Sequence, residues 1–392
     1  MTETALPASN THELNPKQLE AAGILEGPAL VLAGAGSGKT RVITQRIAHL
    51  IETGSARPDQ ILAVTFTNKA ADEMKSRVDK LLGAGIRQAS PLISTFHSLC
   101  VRILRRDVVV MDAGYTRDFT IYDADDQVRL VRTIRKELSL EEKSISDRSV
   151  VSTVSWAKSR GVSPAGYSNQ AEYASSRREQ IATVYGEYQQ RLHKANAMDF
   201  DDLLIQTVEL LRRAPDVRAR YHDRFRHVMI DEFQDTNSFQ YEMARLIVTN
   251  TITTGRANLN PAELWRNRSL FVVGDIDQSI YSFRGSDFNI ILGFQKDFEG
   301  TRTIKLEQNY RSTQNILEAA NRVIENNARR LPKTLYATKE LGAGDKIGYY
   351  QSYDGEGEAS FVAQKAAEHL KRAYGARVAV LYRANSQSRL FE

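Results

Sequence analysis

The sequence predicts an α/β protein built on a parallel sheet, with a helical domain inserted into the sheet domain and a further α/β unit towards the C-terminus. Three observations carry this expectation. The apolar run Pro28–Ala33 (PALVLA) leads through a glycine-rich loop into the helical pattern Lys39–Ile51, and the same order returns at Ile61–Phe66 before Asn68–Leu82. Strand, loop and helix repeated in this way mark a parallel sheet covered by helices. Two later apolar runs, His227–Ile230 (HVMI) and Leu270–Val273 (LFVV), supply further buried strands. Between the two sets, from about Gly114 to Arg191, the chain is charged and helical in character, with Ala124–Glu137 and Arg177–Arg191 as its best helix formers.

These patterns divide the chain into a sheet domain over 1–113 and 192–302, an inserted helical domain over 114–191, and a third unit over 303–392. The third unit opens on a strand candidate, Thr303–Leu306 (TIKL), followed by a helix over Thr313–Asn326 and an extended pair, Lys346–Gln351 with Ala376–Tyr382. Its last residues, Arg389-Leu390-Phe391-Glu392, show no closing turn or cap, so this unit is expected to be incomplete. The polar segment Asn250–Ser269 is rich in turn formers and reads as a surface loop or short excursion.

Composition narrows the function classes. With 42% apolar and 26% charged residues in 392, the chain can bury a sizeable core. No apolar run approaches the roughly 18 residues of a membrane span, and the N-terminus lacks the basic flank and apolar stretch of a secretory signal, so a cytoplasmic protein without membrane contact is expected. The single cysteine, Cys100, excludes an internal disulfide framework, and none of the seven histidines pairs with Cys or carboxylates at a zinc-ligand spacing. A formal charge of +5 suits a polyanionic partner but does not by itself select one.

The chemistry begins at Ala33-Gly34-Ala35-Gly36-Ser37-Gly38-Lys39-Thr40, a glycine-rich loop between a strand and a helix. That context is what a phosphate-binding loop requires, because glycines let backbone N–H groups turn towards phosphates and the helix N-terminus adds partial positive charge. Lys39 is expected to reach the β/γ-phosphates and Thr40 to bind Mg²⁺. Ala33 replaces the glycine of the strict pattern at a position that needs only a small residue. The bland alternative is a tight turn with no ligand. The second site candidate is Asp231-Glu232 at the end of HVMI, since strand C-termini face the ligand crevice of an open α/β sheet. Asp231 is expected to hold the metal ion, and Glu232 to orient and deprotonate the attacking water.

With these residues in place, the chain resembles the UvrD, PcrA and Rep group of superfamily 1 helicases over nearly its whole length. The resemblance is carried by Leu14-Asn15-Pro16-Lys17-Gln18, AGAGSGKTR at 33–41, TFTNKAADEM at 65–74, STFHSLC at 94–100, MDFDDLL at 198–204, DEFQDTN at 231–237, VGDIDQSIYSFRGSD at 273–287 and LEQNYRS at 306–312. It implies RecA-like motor domains, a P-loop NTPase fold, ATP with Mg²⁺ as cofactors, and single-stranded DNA and single/double-strand junctions as partners. No protein partner is implied.

The resemblance also implies roles. Gln18 would hydrogen-bond the adenine edge, Tyr310 would stack on the base, and Arg41 would line the nucleotide site. Gln278 would sense the γ-phosphate, and Arg311 would act as an arginine finger supplied by the second motor domain. Phe66, His97, Phe200, Tyr281, Phe283 and Arg284 match positions that contact single-stranded DNA, where aromatic faces accept any base. For Phe66 and Phe200 a place in the core is the competing reading. Phe283 stands where many relatives carry tryptophan, and Asn250–Ser269 is longer than the family's usual connection.

The implied activity is ATP-dependent unwinding of DNA in the 3′-to-5′ direction, in repair or replication. This chain alone is expected to be weak in unwinding, because half of a second motor domain cannot complete the cleft cycle. A RecB-like subunit of a nuclease complex and a nucleotide-gated single-strand-binding module remain as alternatives, whereas a small-molecule P-loop kinase is disfavoured by the DNA-contact segments.

Overall fold

The run from Gly27 to Ala33 is apolar and almost wholly buried, and it forms the strand around which the fold is organised. The structure is a computed structural model that describes residues 14–83, 90–140, 145–169, 176–252, 260–280, 285–372 and 375–392. In chain order it begins with α1 (Pro16–Ala22), β1 (Gly27–Ala33), α2 (Lys39–Glu52), β2 (Ile61–Thr65), α3 (Asn68–Leu82), β3 (Leu92–Thr95) and α4 (Phe96–Asp107). The insertion follows with β4 (Thr120–Ile121), α5 (Ala124–Glu137), α6 (Asp147–Ser159), α7 (Pro164–Asn169), α8 (Ser176–Lys194) and β5 (Ala197–Met198). The chain returns to the sheet through α9 (Phe200–Arg213), α10 (Pro215–Arg224), β6 (His227–Ile230), α11 (Ser238–Thr249), α12 (Pro261–Leu264), β7 (Ser269–Gly274), α13 (Asn289–Asp297) and β8 (Arg302–Leu306). It continues with β9 (Gln308–Asn309), α14 (Gln314–Ile324), β10 (Tyr336–Ala337), α15 (Gly355–Arg372) and α16 (Ser388–Phe391).

The main sheet runs β3-β2-β6-β7-β1-β8 with every pairing parallel. Because successive strand residues point to opposite faces, β1 feeds two cores: Leu30 and Leu32 join the cluster beneath α4, α9, α11 and α13, while Val31 and Ala33 join the one beneath α2 and α3. Continuous apolar strands are what a sheet buried on both faces demands. The expected parallel α/β fold is therefore observed.

The helical insertion has its own core of Val131, Ile134, Val154, Val184, Tyr185 and Tyr188 among others, distinct from both sheet clusters. Asp123 caps α5 by accepting from the N–H groups of Asp125 and Asp126, which explains why that helix starts where its composition suggests. The two ends of the excursion are tied together by the short parallel pair β4–β5.

Two expectations are corrected and a third is narrowed. The TIKL strand, read as the opening of the third unit, pairs with β1 from Ala29↔Arg302 to Ala33↔Leu306 and is the sixth strand of the first sheet. Its alternating burial matches an edge position, a feature that short-range pattern cannot assign to one sheet or another. The extended pair Lys346–Gln351 and Ala376–Tyr382 does not form. No described residue of that region joins a strand ladder, and a strand without a partner has no hydrogen bonds to hold it. Finally, of the two readings of Asn250–Ser269 the excursion fits better than the surface loop, because its later residues are packed. Residues 253–259 lie outside the description, but Trp265 is buried with its ring 6.0 Å from that of Phe298, and Arg268 donates to the carbonyls of His222 and Phe225.

The described chain separates into two units, one reaching to Gly342 and one over Ala343–Glu392. The second consists of α15 and α16, with Tyr350 stacked on Phe361 at 3.8 Å between ring centroids. No described helix is long and apolar enough to cross a membrane.

Candidate nucleotide site and aromatic cleft

Strands β6, β7 and β1 are neighbours, so the loops leaving their C-terminal ends meet along one edge of the sheet, where ligand crevices of such sheets lie. The loop after β1 carries Gly34–Thr40, the one after β6 carries Asp231 and Glu232, and the one after β7 carries Asp275–Gln278. Sequence separations near 190 and 240 residues thereby collapse to contact distance.

The glycine loop needs its glycines. Gly36 and Gly38 have φ of +68° and +87°, in the left-handed region that side chains resist. A Cβ on Gly36 would also lie 2.7 Å from Arg311 Cβ and from the Asn309 amide. Gly38 is the N-cap of α2 and no side chain caps that helix. Its first-turn N–H groups and dipole therefore remain directed at the crevice, as an anion site requires. Ser37 is fully buried and donates to the Gly34 carbonyl at 2.7 Å, which closes the loop on itself.

Thr40 Oγ1 lies 3.0 Å from Asp231 Oδ2. Lys39 Nζ sits 2.8 Å from Glu232 Oε2 and 3.3 Å from Gln278 Oε1. Burial first, and then the adjacent Glu232 charge, pushes the Asp231 acid up to about 6, so a cation placed beside it would be strongly favoured. Glu232 adopts φ +49°, unusual for a residue with a side chain, and strain of this kind gathers where a side chain must be aimed. Gln234 links the loops by donating to Glu232 Oε2 at 3.0 Å and accepting from the Asp275 N–H at 2.8 Å.

These residues fit magnesium nucleotide. Among the described residues no cluster of three or more His, Cys, Asp or Glu side chains could hold a metal unaided. Thr40 and Asp231 offer a hydroxyl and a carboxylate, the partial shell that Mg²⁺ completes with phosphate oxygens and water.

At the base end of the site, Gln18 and Tyr310 lie close to the phosphate loop. Gln18 is fully buried, its Nε2 donates to the Ser37 carbonyl at 2.9 Å, and its Oε1 accepts from the Asn15 N–H at 3.0 Å. These bonds clamp α1 onto the phosphate loop. Asn15 Nδ2 in turn donates to the Tyr310 hydroxyl at 2.8 Å, so the ring of Tyr310, still 40% exposed, stands beside Gln18's helix. Arg41 is half-buried in the first turn of α2. Arg311 lies within the first unit with its Cβ against Gly36, and its N–H donates to Asn309 Oδ1 at 2.7 Å.

A second concave region of about 540 Å³ is lined by Phe66, His97, Ile121 and Phe200. His97 and Phe200 meet edge to face at 5.6 Å. The competing readings now separate. Phe200 is 44% exposed and is not a core residue, whereas Phe66 is half-buried with its ring 5.7 Å from that of Phe96, serving core and cleft together. Tyr281, Phe283 and Arg284 lie outside the described residues.

Sequence reasoning missed several site residues. The Asn15…Gln18 capping box was legible from its spacing. Asn309, which donates to the Ala35 carbonyl, Leu335, which packs on Gly34, and Lys333, which pairs with Asp275 and Asp277, carried no local signal.

A parallel sheet with a phosphate loop after β1 and an acidic pair after the non-adjacent β6 defines a RecA-like P-loop NTPase fold. The profile of the UvrD/REP helicase N-terminal domain matches residues 14–299, and that of the UvrD-like helicase C-terminal domain matches 304–392. The chain belongs to the UvrD/REP helicase family. It is 44% identical to the ATP-dependent DNA helicase PcrA of Leuconostoc citreum over 385 residues, covering 97% of this chain and 48% of that protein. It is likewise 44% identical to the PcrA helicase of Bacillus subtilis over 384 residues and 42% identical to that of Staphylococcus aureus, again over 97% of this chain. The chain thus spans about half the length of the curated relatives it matches.

Proposed function

We propose that this chain supplies the ATP-hydrolysing and strand-gripping part of a DNA helicase that moves 3′ to 5′ on single-stranded DNA and opens single/double-strand junctions in repair or replication. The observation that carries the reading is the meeting of Lys39, Thr40, Asp231, Glu232 and Gln278 at one sheet edge. Bound Mg²⁺ would neutralise charge on the β- and γ-phosphates. Lys39 would bind the same oxygens, and Thr40 with Asp231 would hold the metal. Glu232 orients a water and accepts its proton as that water's oxygen attacks the γ-phosphorus and the bond to the β–γ bridging oxygen breaks, leaving ADP and phosphate. Arg311 stabilises charge on the transferring group, and Tyr310 stacks on the base.

Strand binding falls to the aromatic cleft of Phe66, His97 and Phe200, and by the family resemblance also to Tyr281, Phe283 and Arg284. Gln278 touches Lys39 of the phosphate loop at 3.3 Å, which suits a part in sensing the γ-phosphate.

Hydrolysis of ATP by the chain should rise on addition of single-stranded oligonucleotide. Tight, ATP-dependent binding of that oligonucleotide without turnover would replace the motor reading with that of a nucleotide-gated binding module. Phe200→Ala should weaken binding of a fluorescent oligo-dT about tenfold, the value of roughly one stacked base. An unchanged anisotropy curve would remove Phe200 from the strand path.

A further inference from the structure

We infer that Lys333 is the residue that positions the Gln278 amide, and that through it the chain distinguishes a nucleoside triphosphate from a diphosphate; this rests on the reading of Gln278 as the γ-phosphate sensor. Lys333 lies between α14 and β10, far in sequence from Asp275, Asp277 and Gln278, and only 5% of its side chain is exposed. Its ammonium donates to Asp275 Oδ1 and to Asp277 Oδ2, and Arg330 adds a second cation 3.5 Å from the same Asp277 oxygen.

Asp275 divides its two oxygens between different tasks. Oδ1 takes Lys333 and the Asp277 N–H, whereas Oδ2 accepts from Gln278 Nε2. A primary amide can turn over so that oxygen and nitrogen exchange places at almost no cost in shape. An ionised carboxylate only accepts, so Asp275 holds the Nε2 end and leaves Oε1 facing Lys39 at 3.3 Å. That assignment survives only while Asp275 stays in place. Asp275 and Asp277 are both buried to about a tenth exposure or less, and a buried carboxylate that loses its cationic partner is left uncompensated. Lys333 bridges the two.

The same stretch of chain touches the phosphate loop directly. Leu335 packs on Gly34, β10 pairs with β9, and Asn309 and Tyr310 of the β9 region donate to the carbonyls of Ala35 and Gly36. Displacement of this stretch would therefore withdraw Lys333 from Asp275 and release the sensor amide. The arrangement makes the orientation of Gln278 depend on the segment after α14.

The test is titration of the purified chain with ATPγS and with ADP, both with magnesium, for wild type, Lys333→Met, Lys333→Arg, Gln278→Ala and the double variant. Lys333→Met should reduce the preference for ATPγS over ADP about tenfold, the scale of one hydrogen bond to a charged group, while its ADP affinity holds. Lys333→Arg should restore most of the preference. The double variant should match Gln278→Ala alone, since the two changes act on one interaction. If Gln278→Ala lowers the preference and Lys333→Met does not, or if Lys333→Met weakens both nucleotides equally, the positioning role is wrong. If Gln278→Ala itself leaves the preference intact, the sensor reading fails instead. Should Lys333→Met not fold, Asp275→Asn decides the matter: it lets the amide turn over, and an undiminished preference in that variant would overturn the proposal.

Discussion

Lys39→Ala should lower the rate of ATP hydrolysis by about 10²–10³-fold or more, the cost of removing one preorganised charge from a transferring phosphoryl group. The ammonium is only 10% exposed and stands at the mouth of an uncapped helix, between Glu232 at 2.8 Å and Gln278 at 3.3 Å. Such a charge is already in place before the nucleotide arrives, so it costs no reorganisation when negative charge develops. The fold should tolerate the change, because Glu232 remains 36% exposed and can be solvated once its partner is gone. A melting temperature close to wild type alongside lost turnover would locate the effect in the site. Turnover persisting near the wild-type rate would mean that the loop binds something other than the transferring phosphate.

Lys158→Met should destabilise the chain by about 3–5 kcal/mol, the usual result of removing one partner from a buried ion pair. Lys158 is 1% exposed, with its Nζ 2.7 Å from Asp199 Oδ2 and 2.9 Å from Asp202 Oδ1. The Tyr188 hydroxyl also donates to Asp199 at 2.9 Å. Burial opposes ionisation of Asp199, but Lys158 and these hydrogen bonds bring its acid below the usual range, whereas burial and the neighbouring Asp199 charge push Asp202 up to about 6.

The sign of the pH dependence follows from Asp202. A carboxyl whose folded value is raised favours the folded state at low pH and loses that contribution as pH rises through about 6. Without the ammonium the two carboxylates repel, and protonation of Asp202 relieves them. The penalty of Lys158→Met should therefore be larger at about pH 7.5 than at about pH 5. Urea unfolding at the two pH values reads this directly, and a midpoint unmoved at both would show that the network contributes nothing. Because Asp199 and Asp202 cap α9, and Phe200 is its first residue, the loosened variant should also bind single-stranded DNA less tightly.

Much of the sheet domain was legible in the chain before folding. His227–Ile230 and Asn68–Leu82 begin and end as their patterns indicate, because an apolar run of that length between turn formers has few other solutions. The third unit was less legible. Thr303–Leu306 is as good a strand for one sheet as for another, and only its pairing with β1 places it. Lys346–Gln351 has strand-like composition, yet composition cannot supply a neighbouring strand. Phe66 and Phe200 carried the same ambiguous aromatic signal, which was resolved by how each ring packs.

By itself the amino-acid sequence determined the phosphate loop, the acidic pair and the strands that carry them, because each depends on residues close together and on a periodicity of two or of 3.6. Tertiary structure alone decided that Gln18 clamps the loop, that Lys333 reaches Asp275 and Asp277, and that Lys158 bridges Asp199 and Asp202. The physical reason is that a buried charge or amide is defined by its partners, and those partners lie tens to hundreds of residues away until the chain closes on itself.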